Sequence, residues 1–177
     1  MPTRILPSFK QRLFPNLHSG NHRVTSEETV GKRVVYNCVA WAAVADTRKW
    51  WEAGDEPDHY WPPGVLDDGS LLSYVKLFEF LGYQRCDSAR REIPYEKVAI
   101  YSDADGFTHV TYQLFFGWTS KLGGWEDIRH KTLSALEGGD YGTVTVIMKR
   151  KSDFRGYLAR AFYQLTARLW PLRIPEA

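Results

Sequence analysis

At residue 97 the hydrophobic period of this 177-residue chain changes, and that change limits the folds open to it. Before it, Leu71, Leu72, Val75, Phe78 and Leu81 recur at helical spacing. They predict a helix over 69–81, opened by Asp68 and stopped at Gly82. After it, KVAIY (97–101), FTHVTYQL (107–114) and WTSKL (118–122) are short β-rich runs, separated by SDADG and FFG. Connectors that short join antiparallel neighbours. TVTVIMKR (143–150) predicts a further strand, and Asp127 predicts a helix from there to about 137, ended by Gly138 and Gly139. Upstream, the Ala-rich stretch after Asn37 predicts a helix over about 38–51, followed by the loop GDEPDHYWPPG. Helices followed by an antiparallel sheet make the class α+β.

The ends differ from the middle. Residues 1–30 lack periodicity and read as a basic extended arm, with a weak helix start at 26–29. Residues 31–150 form the domain, and 151–177 a C-terminal amphipathic helix and tail, with Phe154, Leu158, Phe162, Leu165 and Leu169 on one stripe. Residues 1–33 sum to +4, 34–148 to −7 and 149–177 to +5, which gives the net +2. The simplest consequence is that the basic ends neutralise the acidic middle. Through them the chain could also meet a protein partner or an anionic membrane surface. Nucleic acid is not expected, because no motif for it is present. Two cysteines allow neither a disulfide framework nor a four-thiolate zinc site. Asp103, Asp105 and Gly106 resemble part of a calcium loop, but no distal glutamate follows and a hairpin turn explains them. No metal and no cofactor is expected. Without a long apolar run or signal-peptide pattern, a cytoplasmic location is expected, and secretion without a signal peptide stays open.

Cys38 stands where a β-like run meets a predicted helix. Unpaired N–H groups at such a start stabilise a thiolate, the nucleophilic form. The same groups can hold an oxyanion on an attacked carbonyl. A nucleophile needs a base. Of the five histidines, His109 lies inside a predicted strand, so sheet geometry can aim its ring. A buried cysteine can equally be a small apolar core residue. Tyr60 and Trp61 in the proline-rich loop could wall a cleft over Cys38 or merely cover a helix end.

The segment Asn37-Cys38-Val39-Ala40-Trp41-Ala42 resembles the nucleophile segment of papain-like cysteine hydrolases, in which Cys opens a helix carrying a nearby Trp. FTHVTYQL and GWTSKLG resemble the later strands of that fold, which carry the His and its orienting residue. The 71 residues from Cys38 to His109 are closer to compact amidase-like members of the NlpC/P60 and CHAP types. The segments YNCVAWA, YWPPG, GYQRC, EKVAIY, FTHV and WTSKLG are also similar to an uncharacterised bacterial domain family, over roughly 34–150.

The papain-like resemblance implies a thiol hydrolase or acyl transferase acting on an amide or ester of a peptide-like or protein substrate. A peptide, a peptidoglycan stem or a protein glutamine would serve. Cys38 would attack, His109 would move the proton, and Ser120 or Asp127 would orient the imidazole. Lys32 stands where those enzymes carry a glutamine, so Asn37 or a backbone N–H would assist the oxyanion. Trp41, Tyr60 and Trp61 would line the substrate site. The competing expectation is a non-enzymatic interaction domain, bound to a protein or a membrane surface, with Cys38 structural.

Overall fold

The structure is a computed structural model that describes residues 8–26, 36–43, 50–52 and 59–152. In chain order the elements are α1 (Ser8–Leu13), β1 (His22–Ser26), α2 (Cys38–Ala43), β2 (Trp50–Trp51), β3 (His59–Tyr60), α3 (Leu71–Phe80), β4 (Gln84–Arg85), β5 (Tyr95–Ser102), β6 (Phe107–Gln113), β7 (Trp118–Lys121), β8 (Asp127–His130) and β9 (Thr143–Lys151). Two 3-10 turns, Leu133–Leu136 and Gly139–Tyr141, precede β9. Seven strands form one antiparallel sheet in the order β1-β8-β7-β6-β5-β9-β4. β2 and β3 pair separately, in parallel. The fold is α+β. The C-terminal helix expected over 151–177 lies outside the described residues, apart from Lys151, which ends β9, and Ser152 after it.

The sheet is covered on both faces. On one, α2 and α3 pack with Val98, Ile100, Val110, Tyr112, Val146 and Met148 around Cys38, Leu77 and Phe78. On the other, Phe14 and Leu17 pack with Tyr101, Leu122, Ile128, Leu136 and Tyr141. Alternation along each strand divides the two sets, as a pleated strand requires.

Local chemistry explains the element ends. Ser70, not Asp68, caps α3: its hydroxyl accepts from Ser73 N–H at 3.3 Å. Asp68 sits two residues before it, accepting from Ser70 N–H at 3.0 Å and from the Ser73 hydroxyl. The helix stops at Gly82, whose φ of +86° an L side chain resists. SDADG makes a hairpin turn in which the Asp103 carboxylate accepts from the N–H groups of Asp105 (2.9 Å) and Gly106 (3.1 Å). Among the described residues no group of three or more His, Cys, Asp or Glu could hold a metal ion, and no helix is long and apolar enough to cross a membrane.

Three expectations are corrected. The helix expected over 127–137 is a strand and a 3-10 turn. Gly123, at φ +54°, helps return the chain along β7, and Ile128 and His130 then alternate inward. The helix expected over 38–51 does not reach Trp50 and Trp51. The Asn37 side chain holds Trp51 as strand, with Nδ2 donating to its carbonyl at 2.6 Å and Oδ1 accepting its N–H at 3.3 Å. Finally, described residues of the expected N-terminal arm are folded into the domain as α1 and the edge strand β1. Phe14 is 1% exposed, with its ring 4.8 Å from Tyr141 and 6.0 Å from Trp125. Phe14→Ala is therefore expected to destabilise the domain by about 3–5 kcal/mol in urea unfolding. A loose arm would give no change.

The basic C-terminal stretch begins with neutralising contacts. Lys149 Nζ lies 2.9 Å from Glu92, Arg150 lies 2.9 Å from Glu96, and Ser152 donates to Glu96 at 2.7 Å.

Candidate functional site

The main chain enters α2 through Asn37. Its Oδ1 accepts from Ala40 N–H at 3.1 Å, an N-cap, while its Nδ2 is held by Trp51. Asn37 is 6% exposed and supports the helix start and β2. Cys38 follows and is 7% exposed, within the first core cluster. Burial pushes its thiol up to about 11. The backbone N–H groups of Val110, Cys38 and Val39 pull the other way but do not overcome burial. Cys86, the other cysteine, is free and half-buried.

His109 is completely buried. Its ring stacks on Tyr141 at 4.1 Å and 10°, with Tyr101 at 5.7 Å. Both of those tyrosines belong to the second cluster. Neither ring nitrogen has a hydrogen-bond partner among the described residues. Burial, then the neighbouring His130, holds its pKa well below the ordinary value, so the ring is neutral. The register explains why it is not hydrogen-bonded to Cys38. Val110 and Tyr112 point to the α2 side, so His109 and Thr111 point to the opposite side.

Ser120 shares the face of His109 but serves another histidine. Its hydroxyl lies 3.1 Å from His130 Nε2, as does that of Thr111. Thr111 donates to Thr119 O at 2.8 Å, so the Ser120 hydroxyl is the donor to His130. His130 Nδ1 donates to Thr132 O at 2.8 Å. Burial lowers the His130 pKa to about 4. This chain is hydrogen-bonded throughout and closed to solvent, with Ser120 at 0% and His130 at 2% exposure.

Asp127 lies on the α2 side. Tyr36 donates to its Oδ2 at 2.8 Å, and Lys121 Nζ is 3.7 Å from its Oδ1. Tyr36 also stacks on Trp41, at 5.9 Å and 22°, and Trp41 Nε1 donates to Thr119 Oγ1 at 3.2 Å. Asp127 and Trp41 are thus joined through Tyr36, and Trp41 anchors α2 to β7. Tyr60 and Trp61 pack over the cluster that contains Cys38, against Trp51 (4.8 Å) and Tyr74 (5.3 Å).

The structure therefore groups Asn37, Cys38, Trp41, Tyr60, Trp61 and Asp127 on one side of the sheet, and His109 and Ser120 on the other. Sequence reasoning gives no site role to Tyr36 and leaves Thr111, Thr119 and His130 outside the site, although all four hold these residues in place. The alternation of β6 and β7 is a signal for Thr111 and Thr119.

A family model described as a domain of unknown function, DUF7689, matches residues 23–149. No curated protein and no solved structure matches the chain.

Proposed function

The chain belongs to the DUF7689 family, and we propose that it is a non-enzymatic interaction domain in which Cys38 is a core residue. One observation carries this reading: Cys38 and its expected base are buried on opposite sides of the sheet, with no hydrogen bond between them. A thiol with a pKa near 11 is almost wholly protonated at neutral pH. A histidine stacked on Tyr141 on the other face of the sheet has no route to that proton.

A second reading, thiol hydrolase or acyl transferase, is favoured by three backbone N–H groups, of Cys38, Val39 and Val110, that bear on the sulfur. They would stabilise a thiolate if a movement opened the site. In that reading Cys38 attacks an amide or ester carbonyl of a peptide-like substrate, His109 takes the thiol proton and passes it to the departing amine or alcohol, and water or another acceptor then cleaves the thioester to free Cys38.

Alkylation with iodoacetamide at pH 7, followed by peptide mass analysis, separates the two. For the interaction domain, Cys38 reacts at least about 100-fold more slowly than free cysteine, since two pKa units remove that much thiolate. Cys86 is labelled first. Faster labelling of Cys38 than of Cys86, slowed by His109→Ala, would overturn this reading and restore the hydrolase.

A further inference from the structure

The outward side of α3 is half apolar. On a helix Leu72, Lys76, Glu79 and Phe80 share one arc of about 100°. All four are exposed, Leu72 at 48% and Phe80 at 62%. Ser73, Tyr74, Val75, Leu77 and Phe78 lie buried beneath them. Lys76 Nζ is 2.7 Å from Glu79, so the two charges of the arc answer each other. Leu72, Lys76 and Phe80 form a row at i, i+4 and i+8, the kind of ridge against which a second helix packs.

The end of β9 lies beside that row. β4 follows α3 directly and pairs antiparallel with β9, Gln84 against Lys149 and Arg85 against Met148. Traced back from β4, the register leads to Gly82, where an added Cβ would stand 3.9 Å from Arg150 Cδ. One residue earlier, Leu81 O accepts from Arg150 Nη1 at 2.9 Å. Ser152 is fixed by its N–H to Pro94 O at 2.9 Å and by its hydroxyl to Glu96 at 2.7 Å. The described chain therefore stops near the C-terminal end of α3, the end that carries Phe80.

The sequence then continues with Asp153 and the apolar row Phe154, Leu158 and Phe162. That row has the same i, i+4, i+8 spacing as Leu72, Lys76 and Phe80, which is about 12 Å along a helix. Two rows of equal length, one starting where the other ends, match when the second runs back along the first. Charge agrees with that direction. Asp67 and Asp68 are exposed before the N-terminal end of α3, and Arg160 and Arg168 come late in the basic segment.

We propose that residues 153–169 dock on the outward row of α3 as an antiparallel helix, with Phe154 near Phe80 and Phe162 near Leu72. This surface is separate from Cys38, so its failure and that of the interaction-domain reading are independently visible.

Brief trypsin digestion of the full chain, followed by mass analysis, tests it. Arg155, Arg160 and Arg168 are cleavage sites in the segment, and the cutting rate follows the undocked fraction. Leu72→Asp and Phe80→Asp, both at exposed positions, should each speed cutting at Arg160 and Arg168 about tenfold. Leu158→Asp should do the same from the other side of the contact. Phe116→Asp, at a position 67% exposed in the β6–β7 turn, should leave the rate unchanged. Circular dichroism checks folding. Equal rates in wild type, Phe80→Asp and Leu158→Asp would overturn the proposal, as would equal acceleration by Phe116→Asp. Protection that grows with protein concentration would assign the segment to a second copy. Protection gained only with phosphatidylserine vesicles would assign it to a membrane surface. Either result would also overturn the proposal.

Discussion

Between pH 6.5 and pH 4.5 the domain is expected to lose roughly 5 kcal/mol of stability through two buried histidines. His109 and His130 are both neutral in the fold, the first with its pKa well below the ordinary value and the second near 4. In the unfolded chain each has an ordinary pKa of about 6.5. Above that value neither state binds the proton, and the full stability is present. Below it the unfolded chain takes up a proton that the fold refuses, so stability falls as pH falls. The loss continues until the folded pKa is reached, which for His130 is about 4. Each such group contributes a slope of about 1.4 kcal/mol per pH unit, and two give about 2.7. Most carboxylates titrate lower, so this window reports chiefly on histidine. Urea unfolding at half-unit pH steps measures the slope. His109→Phe should reduce it by about 1.4 kcal/mol per unit. The same change should raise stability at pH 7 by about 1–3 kcal/mol, because it removes two buried nitrogens without partners from an aromatic stack. A slope identical in wild type and variant would show that His109 is not a buried neutral group.

Gly142→Ala is expected to cost about 3–5 kcal/mol, a severe effect for one methyl group. Gly142 lies just before β9 with φ +64°. A Cβ there would stand 2.1 Å from the Ser102 carbonyl oxygen and 2.7 Å from its carbon, both backbone atoms at the end of β5. Neither the torsion nor the contact can relax without shifting the β5–β9 pair. Gly64→Ala is the control. Its φ is +80°, but nothing lies within 4 Å of the added carbon. Only the torsional strain remains there, about 1 kcal/mol. Similar losses in the two variants would mean that the β5–β9 junction is looser than described.

The elements read most readily from the sequence were those fixed by local pattern. The four β-rich runs became β5, β6, β7 and β9 within a residue or two, and the stripe from Leu71 to Phe78 became α3. Phe14 and Leu17 were not legible as core. They are isolated apolar positions in a polar stretch, and their partners, such as Leu122 and Tyr141, are more than a hundred residues away. The candidate site was legible only as a set of residue types. Phe107 packs on Tyr74 of α3, with ring centroids 3.5 Å apart. Simple alternation from Phe107 would put His109 on that same side, facing Cys38. A bulge intervenes: Tyr101 pairs with His109, but Ser102 pairs with Phe107, so Thr108 is the extra residue. That single residue sends His109 through to the other face, and no local feature of FTHVTYQL marks it.

The order of strands has a consequence for how the chain reaches this state. β5 to β8 succeed one another by short connections and can assemble as each is made. Three strands are added to that meander, and among the described residues β4 joins only through β9. β9 joins β5 after closing a loop of some forty residues, from Ser102 to Thr143. Among the described residues β1 pairs only with β8, His22 against His130, across more than a hundred residues of intervening chain. Non-local pairings of this kind slow folding, because chain entropy is lost before any contact compensates for it. The outer strand that closes the sheet is thus synthesised first and can dock only after β8 exists. During synthesis Phe14, Leu17 and Val24 wait unpaired, and a ribosome-bound nascent chain shorter than about 130 residues has no native surface on which to place them.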